Sequence, residues 1–204
     1  MRRASRNRAD LLMQAAEVVA ERGFENTRFT DVAGRTGASI STLQYLFGNR
    51  EDLVVQALRT RTAHLLAEAR TAAEAITDPI ERLRWVAGHL AATDGSPDAA
   101  RAEWMLWVEY WRTALRDDEL ATESINTYDG WASLVRDAIH AAVAAGVLAE
   151  PSDIDAVAQG ACALADGLGV QIALRRPGLT WERAAAMTRA WLSVTLNCPA
   201  LADH

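Results

Sequence analysis

Apolar residues recur at helical spacing along almost the whole chain, and no stretch shows the strict alternation of a half-buried strand. Leu12, Ala15, Ala16 and Val19 stand at i, i+3, i+4 and i+7, with Gly23 where that helix should stop. Residues 28–47 hold two short segments, and residues 51–76 form one long helix. Asp78 then caps a helix with Pro79 at its first position and Glu81 three residues past the cap, and Ile80, Leu83, Ala87 and Leu90 form its apolar face. Asp94, Gly95, Ser96 and Pro97 break the chain. The next helix carries Trp104, Trp107, Val108, Trp111 and Leu115 on one stripe. Ile125, Tyr128, Trp131, Val135, Ile139 and Val143 define another, ending at Gly146. Ser152 and Asp155 cap a helix running to Arg175 and Arg176, where Pro177 and Gly178 stop it. Thr180 opens the last, with Trp181, Ala184, Met187, Trp191 and Val194, ending near Pro199. The pattern predicts an all-α protein of about nine helices.

Within residues 28–53 the small residue Ala33, Gly37 four residues on and Leu43 six further have the spacing of two helices crossing steeply. Ala33 permits close approach, Gly37 can take positive φ in the turn, and Leu43 fills the angle between the helices. An ordinary αα-corner shares these three positions. The flanks add a supporting helix before the corner, Phe47 closing it, Gly48 and Asn49 breaking the chain, and Arg50, Glu51 and Asp52 opening the long helix at Leu53.

The order LL..AA..V...GF..T...DVA...GAS...L...F..REDL, over about residues 9–58, resembles the N-terminal domain of the TetR family of bacterial transcriptional regulators. The resemblance implies a helix-turn-helix DNA-binding domain at residues 1–50 and a helical ligand-binding and dimerisation domain at residues 51–204. It implies phosphate contacts from Thr30, Thr42, Tyr45 and Arg50 and base-edge contacts from Ile40, Ser41 and Gln44, with Arg28 and Ser39 completing the DNA-binding set. A Lys or Arg is frequent in the family where this chain has Ile40, and a Tyr is usual where it has Gln44. Gln can pair bidentately with adenine and Ile can pack on a thymine methyl, so an A·T-leaning half-site is expected.

Net charge is −6, but residues 1–60 hold nine Arg against seven acids, and the remainder twelve Arg against twenty. An acidic body requires the N-terminal end to face a duplex. Arg2, Arg3, Arg6 and Arg8 could reach the DNA backbone or form a solvated tail. No run approaches the roughly 18 apolar residues of a membrane span, and the start lacks the apolar run of a signal peptide. A cytoplasmic protein without a membrane partner is expected. Cys162 and Cys198 read as buried thiols, and the four histidines show no ligand spacing, so no metal and no cofactor is expected. No nucleophile and base pair or phosphate-cradling glycine loop argues for an enzyme.

The last two helices are apolar on more than one face, which calls for a second surface to bury. Leu164, Leu168, Ile172, Met187, Trp191 and Val194 match in place the family's four-helix dimer interface; packing within one chain is the alternative. A two-fold dimer places two recognition helices about 34 to 36 Å apart, matching a palindromic operator on double-stranded DNA. Seven tryptophans are many for 204 residues. Trp85, Trp104, Trp107, Trp111 and Trp131, with Glu109, form a candidate ligand-binding set, although tryptophan at helical spacing also fills cores. The run WMLWVEYWRTALRDDEL resembles the C-terminal domain type of choline-responsive regulators of betaine synthesis. The expected effector is a small molecule of cationic or aromatic character, held by cation-π attraction. The function expected is a ligand-responsive DNA-binding regulator, a repressor acting as a homodimer; the alternative is a helical ligand-binding or scaffold protein with weak or lost DNA binding.

Overall fold

The computed structural model describes residues 8–91 and 96–202; Arg2, Arg3 and Arg6 of the basic start, and Asp94 and Gly95 of the expected break, lie outside the described residues. Among those described, every regular element is helical: α1 (Arg8–Arg22), α2 (Phe29–Thr36), α3 (Ile40–Phe47), α4 (Arg50–Ala75), α5 (Pro79–Ala91), α6 (Pro97–Ala114), α7 (Asp118–Ala144), α8 (Ile154–Ala173), α9 (Trp181–Thr195) and a 3-10 turn at Pro199–Leu201. Internal contacts group residues up to 65 with residues 105–124, and residues 66–104 with residues 125–204. The chain of α4, α6 and α7 therefore contributes to both units.

In the first unit α1 packs on α2, and α2 on α3. Leu12, Ala15, Ala16 and Val19, the stripe predicted for α1, are all buried, together with Val32, Leu43 and Phe47. Gly37 takes φ 66° and donates its N–H to the Ala33 carbonyl at 2.8 Å, ending α2 in the left-handed conformation that a side chain would resist. Ser39 caps α3, its side chain accepting from the Thr42 N–H. Two ion-paired bridges from Arg35, to Glu17 at 2.8 Å and Glu21 at 2.6 Å, tie α2 to α1.

The second unit packs α5 against α8 and α9, and α8 against α9. Its core runs from Ala69 and Ala73 of α4 through Leu83 and Val86 of α5 and Val135 and Ile139 of α7 to Ala158, Ala161 and Leu192 of α8 and α9. Asp78 caps α5 as predicted, accepting from the Glu81 N–H at 2.8 Å. Thr180 caps α9 in the same manner. At α8 the cap falls one residue later than Ser152, on Asp153, which holds an extended φ of −149° and accepts from the Ala156 N–H at 2.9 Å. Asp155 instead pairs with Arg136. Leu115, predicted on the buried stripe of α6, is 85% exposed because that helix ends at Ala114. By length and composition α8 could cross a bilayer, although Asp155 and Asp166 interrupt its apolar run. Its buried face packs on α5 and α9, as in a core helix.

Candidate DNA-binding face and effector site

Seven of the eight residues of α3 divide by exposure, with Leu46 between the two faces. Leu43 and Phe47 are buried, while Ile40, Ser41, Thr42, Gln44 and Tyr45 all face outward. Tyr45 is 88% exposed, an arrangement that packing does not explain. At the start of the helix the Ser39 hydroxyl lies 2.9 Å from that of Ser41 and 2.8 Å from that of Thr42, so three hydroxyls cluster beside free helical N–H groups. Arg28, the residue before α2, is exposed, and its backbone N–H donates to Asp31 at 3.0 Å. Thr30, in the first turn of α2, is also exposed.

Arg50 faces into the same unit. Its guanidinium donates to the Phe24 carbonyl and, at 3.4 Å, to the Thr27 carbonyl, lies 5.1 Å from the Phe24 ring centroid, and pairs with Glu51 at 2.7 Å. That cation holds the Glu51 carboxyl below its usual range. Glu109 belongs here too. Its carboxylate accepts the Phe24 N–H at 3.2 Å and the Arg112 Nε–H at 3.1 Å, while Arg112 stacks on Phe24 at 5.3 Å. Phe24 is thus clasped by two guanidinia and one carboxylate, fixing the turn between α1 and α2. Arg22 pairs with Asp31 as well. Much of the reader's positive charge is spent inside the unit.

The six residues expected to bind ligand fall into both units. Trp107, Glu109 and Trp111 belong to the first, where the Trp107 and Trp111 rings lie 6.0 Å apart and Trp107 meets Tyr110 edge-on. Trp85, Trp104 and Trp131 belong to the second. Trp104 is buried, donates its indole N–H to the Ala91 carbonyl at 2.9 Å and lies so close to Gly169 that a Cβ there would sit 2.1 Å from the ring. It is a core residue. Trp85 and Trp131 are half-buried, with the His89 ring stacked 4.3 Å from Trp85 and 6.3 Å from Trp131.

One turn before Trp131 on α7, the Tyr128 hydroxyl donates to Asp166 of α8 at 2.6 Å. Burial pushes the Asp166 carboxyl up to about 6, partly offset by the tyrosine hydrogen bond. Burial and Asp166 together push the Cys162 thiol up to about 12, and Tyr128 is raised for the same reasons. Cys198 is also a buried free thiol. Among the described residues no group of His, Cys, Asp and Glu has the arrangement of a metal site.

Of the residues matched to a dimer interface, Leu168 and Ile172 are buried within the unit itself, Leu164 and Trp191 are half-buried, and Met187 and Val194 are exposed. The outward side of α8 passes through Ala163 and Gly167 instead, and that of α9 through Ala186, Met187, Ala190 and Val194.

The family model described as bacterial regulatory proteins, tetR family, matches residues 11–57, and the one described as BetI-type transcriptional repressor, C-terminal, matches residues 79–197. The chain belongs to the TetR family. Its C-terminal part is of the BetI type. The regulator BetI of Rhizobium meliloti is 23% identical over 191 residues, covering 93% of this chain and 89% of that protein. A transcriptional regulator from Saccharomonospora viridis, solved in complex with choline, is 26% identical with a TM-score of 0.78, covering 90% of this chain and 93% of that one. A TetR-family regulator structure from Rhodococcus shares the fold at 24% identity and a TM-score of 0.73, over 93% and 97% of the two chains.

This TetR-family chain is therefore an effector-responsive DNA-binding transcriptional regulator rather than an enzyme. Sequence reasoning missed His89, whose spacing four residues after Trp85 places both on one face of α5, and the Tyr128 and Asp166 pair, which joins helices 38 residues apart. The first carried a legible signal; the second did not.

Proposed function

We propose that the chain represses transcription in the cytoplasm as a homodimer on a palindromic operator and leaves the DNA when an organic cation binds. The observation that carries the reading is the exposed face of α3, where Ile40, Ser41 and Gln44 are free to meet base edges and Thr42 and Tyr45 to donate to phosphates. Thr30 and Arg28 add phosphate contacts from α2. Arg50, occupied with Phe24 and Glu51, acts chiefly by holding the turn that positions α2. Residues 1–50 carry recognition and residues 51–204 carry effector binding and dimerisation. The small and apolar outward positions of α8 and α9, with Met187 and Val194 at their centre, supply the self-complementary surface.

For the effector, the stack of Trp85, His89 and Trp131 offers aromatic faces, and Asp166 of α8, bonded to Tyr128 one turn before Trp131, offers a partly desolvated carboxylate. Choline bound to the Saccharomonospora viridis protein supports a quaternary ammonium ligand for this chain. α4 begins at Arg50 and continues into the second unit, so an effector favouring a different position of that helix moves the reader; only differential affinity for the two states releases DNA.

The test is a calorimetric titration with choline and with 3,3-dimethylbutan-1-ol, its neutral carbon counterpart. Choline binding at least tenfold tighter, and lost in Trp131→Ala, is expected. Equal affinity for the two, or no response to millimolar choline, would overturn the cation reading.

A further inference from the structure

A second cleft lies within the second unit, away from the aromatic stack in sequence: the first turn of α6, the end of α8 and the first turn of α9 border a space of about 360 Å³. That volume lies at the small end of ligand pockets. Three arginines line it, Arg101, Arg175 and Arg176, against two acids, Asp98 and Glu182. The balance is one net positive charge. Two of the lining donors, Arg101 Nε and Trp181 Nε1, are buried atoms with no hydrogen-bond partner among the described residues. The N-termini of α6 and α9, an 18-residue and a 15-residue helix, add partial positive charge. Ile172, Leu179 and the Trp181 ring supply an apolar wall.

The backbone at Arg175 is a separate observation. Its φ is 56°, the left-handed conformation, and it ends α8 by donating to the Ile172 carbonyl at 2.9 Å while Arg176 donates to the Gln171 carbonyl at 3.0 Å. Helix ends of this form usually place glycine at that position. Here a long cationic side chain occupies it at a conformational cost, and the Arg176 guanidinium beside it is held by the Gln171 side chain.

We propose that this cleft binds a small organic monoanion, its carboxylate received by the guanidinia of Arg101 and Arg175 and its apolar body resting on Ile172, Leu179 and the Trp181 ring. Asp98 and Glu182 limit the charge to one, so a dicarboxylate is rejected. The site is distinct from the proposed cation site and makes the regulator responsive to a second class of small molecule.

The test titrates the full chain calorimetrically with hexanoate and benzoate, with hexanamide and benzamide as neutral counterparts and adipate as the dianion. Arg175→Gly removes the guanidinium while relieving the left-handed backbone, so the variant folds at least as well as the parent. The monocarboxylates should bind at least tenfold tighter than the amides and adipate. Arg175→Gly should lose at least tenfold in carboxylate affinity, with an unchanged or raised thermal midpoint and unchanged choline affinity; Arg101→Met should lose it likewise. No heat with millimolar carboxylate, equal binding of the amides, or unaltered binding by Arg175→Gly would overturn the proposal. So would a lowered midpoint in Arg175→Gly, which would mark that arginine as structural.

Discussion

Replacing Asp166 by Asn separates stability from effector binding. The carboxyl ordinarily titrates near 3.8 and in the fold is raised to about 6, chiefly by burial. A raised carboxyl pKa means that the folded state disfavours the charge. At 1.36 kcal/mol per unit the cost approaches about 3 kcal/mol, and with the side chain only partly enclosed about 1 to 3 kcal/mol is the expected range. The cost is fully present above pH 6, shrinks as pH falls through 6 and vanishes below 3.8. Asn keeps an oxygen to accept the Tyr128 hydroxyl, which lies 2.6 Å from the carboxylate. Urea unfolding at one fixed protein concentration, needed because dimerisation adds to apparent stability, should show Asp166→Asn more stable than the parent at pH 8 and equal to it near pH 4. Choline affinity should fall at least tenfold in the same variant. A variant less stable at pH 8, or a stability difference that does not change with pH, would refute the burial argument. A gain in stability with full choline affinity would remove Asp166 as counter-charge.

Four other outcomes are expected. Tyr45→Phe should weaken operator binding on the order of a hundredfold, the worth of one hydrogen bond to a charged phosphate at about 1.5 kcal/mol in each of two subunits, while the urea midpoint stays within error, as measured by fluorescence anisotropy and unfolding. Gln44→Ala should broaden base preference in site selection from random duplexes. Glu109→Ala leaves the Phe24 N–H without its carboxylate and should cost about 1 to 3 kcal/mol of stability in urea unfolding, with choline affinity unchanged; a large loss of choline binding would place Glu109 at the effector site instead. Gly169→Ala drives a methyl into the Trp104 ring and should lower the thermal midpoint by several degrees in scanning calorimetry.

The corner around Gly37 was legible because local chemistry decides it: a left-handed φ, a buried Leu43 and an outward polar face follow from a few adjacent residues. The caps at Asp78 and Thr180 were legible for the same reason. Contacts between distant segments were not. Glu109 sits 85 residues from the Phe24 N–H it accepts, and the charge and stripe that placed it beside tryptophans did not reveal that partner. Arg50 matches a phosphate-contact position, and nothing near it in sequence reveals that its guanidinium also meets the Phe24 and Thr27 carbonyls. Leu168 and Ile172 have the apolar character of an interface, yet periodicity cannot tell which apolar side of α8 faces the unit's own core, and the smaller residues Ala163 and Gly167 turn outward. Arg175 gives no local sign of its left-handed backbone, since glycine is the residue that marks such positions.

The central claim is that the outward face of α3 reads a specific operator and that an organic cation releases it. Fluorescence anisotropy of a labelled duplex from the region upstream of the chain's own coding sequence, against a shuffled duplex of equal composition, tests both parts in one cuvette at fixed salt. The account predicts binding at least a hundredfold tighter to the upstream duplex, saturating at whole dimers per site, and loss of that binding on adding millimolar choline. Equal affinity for the two duplexes, or specific binding untouched by choline, would contradict it.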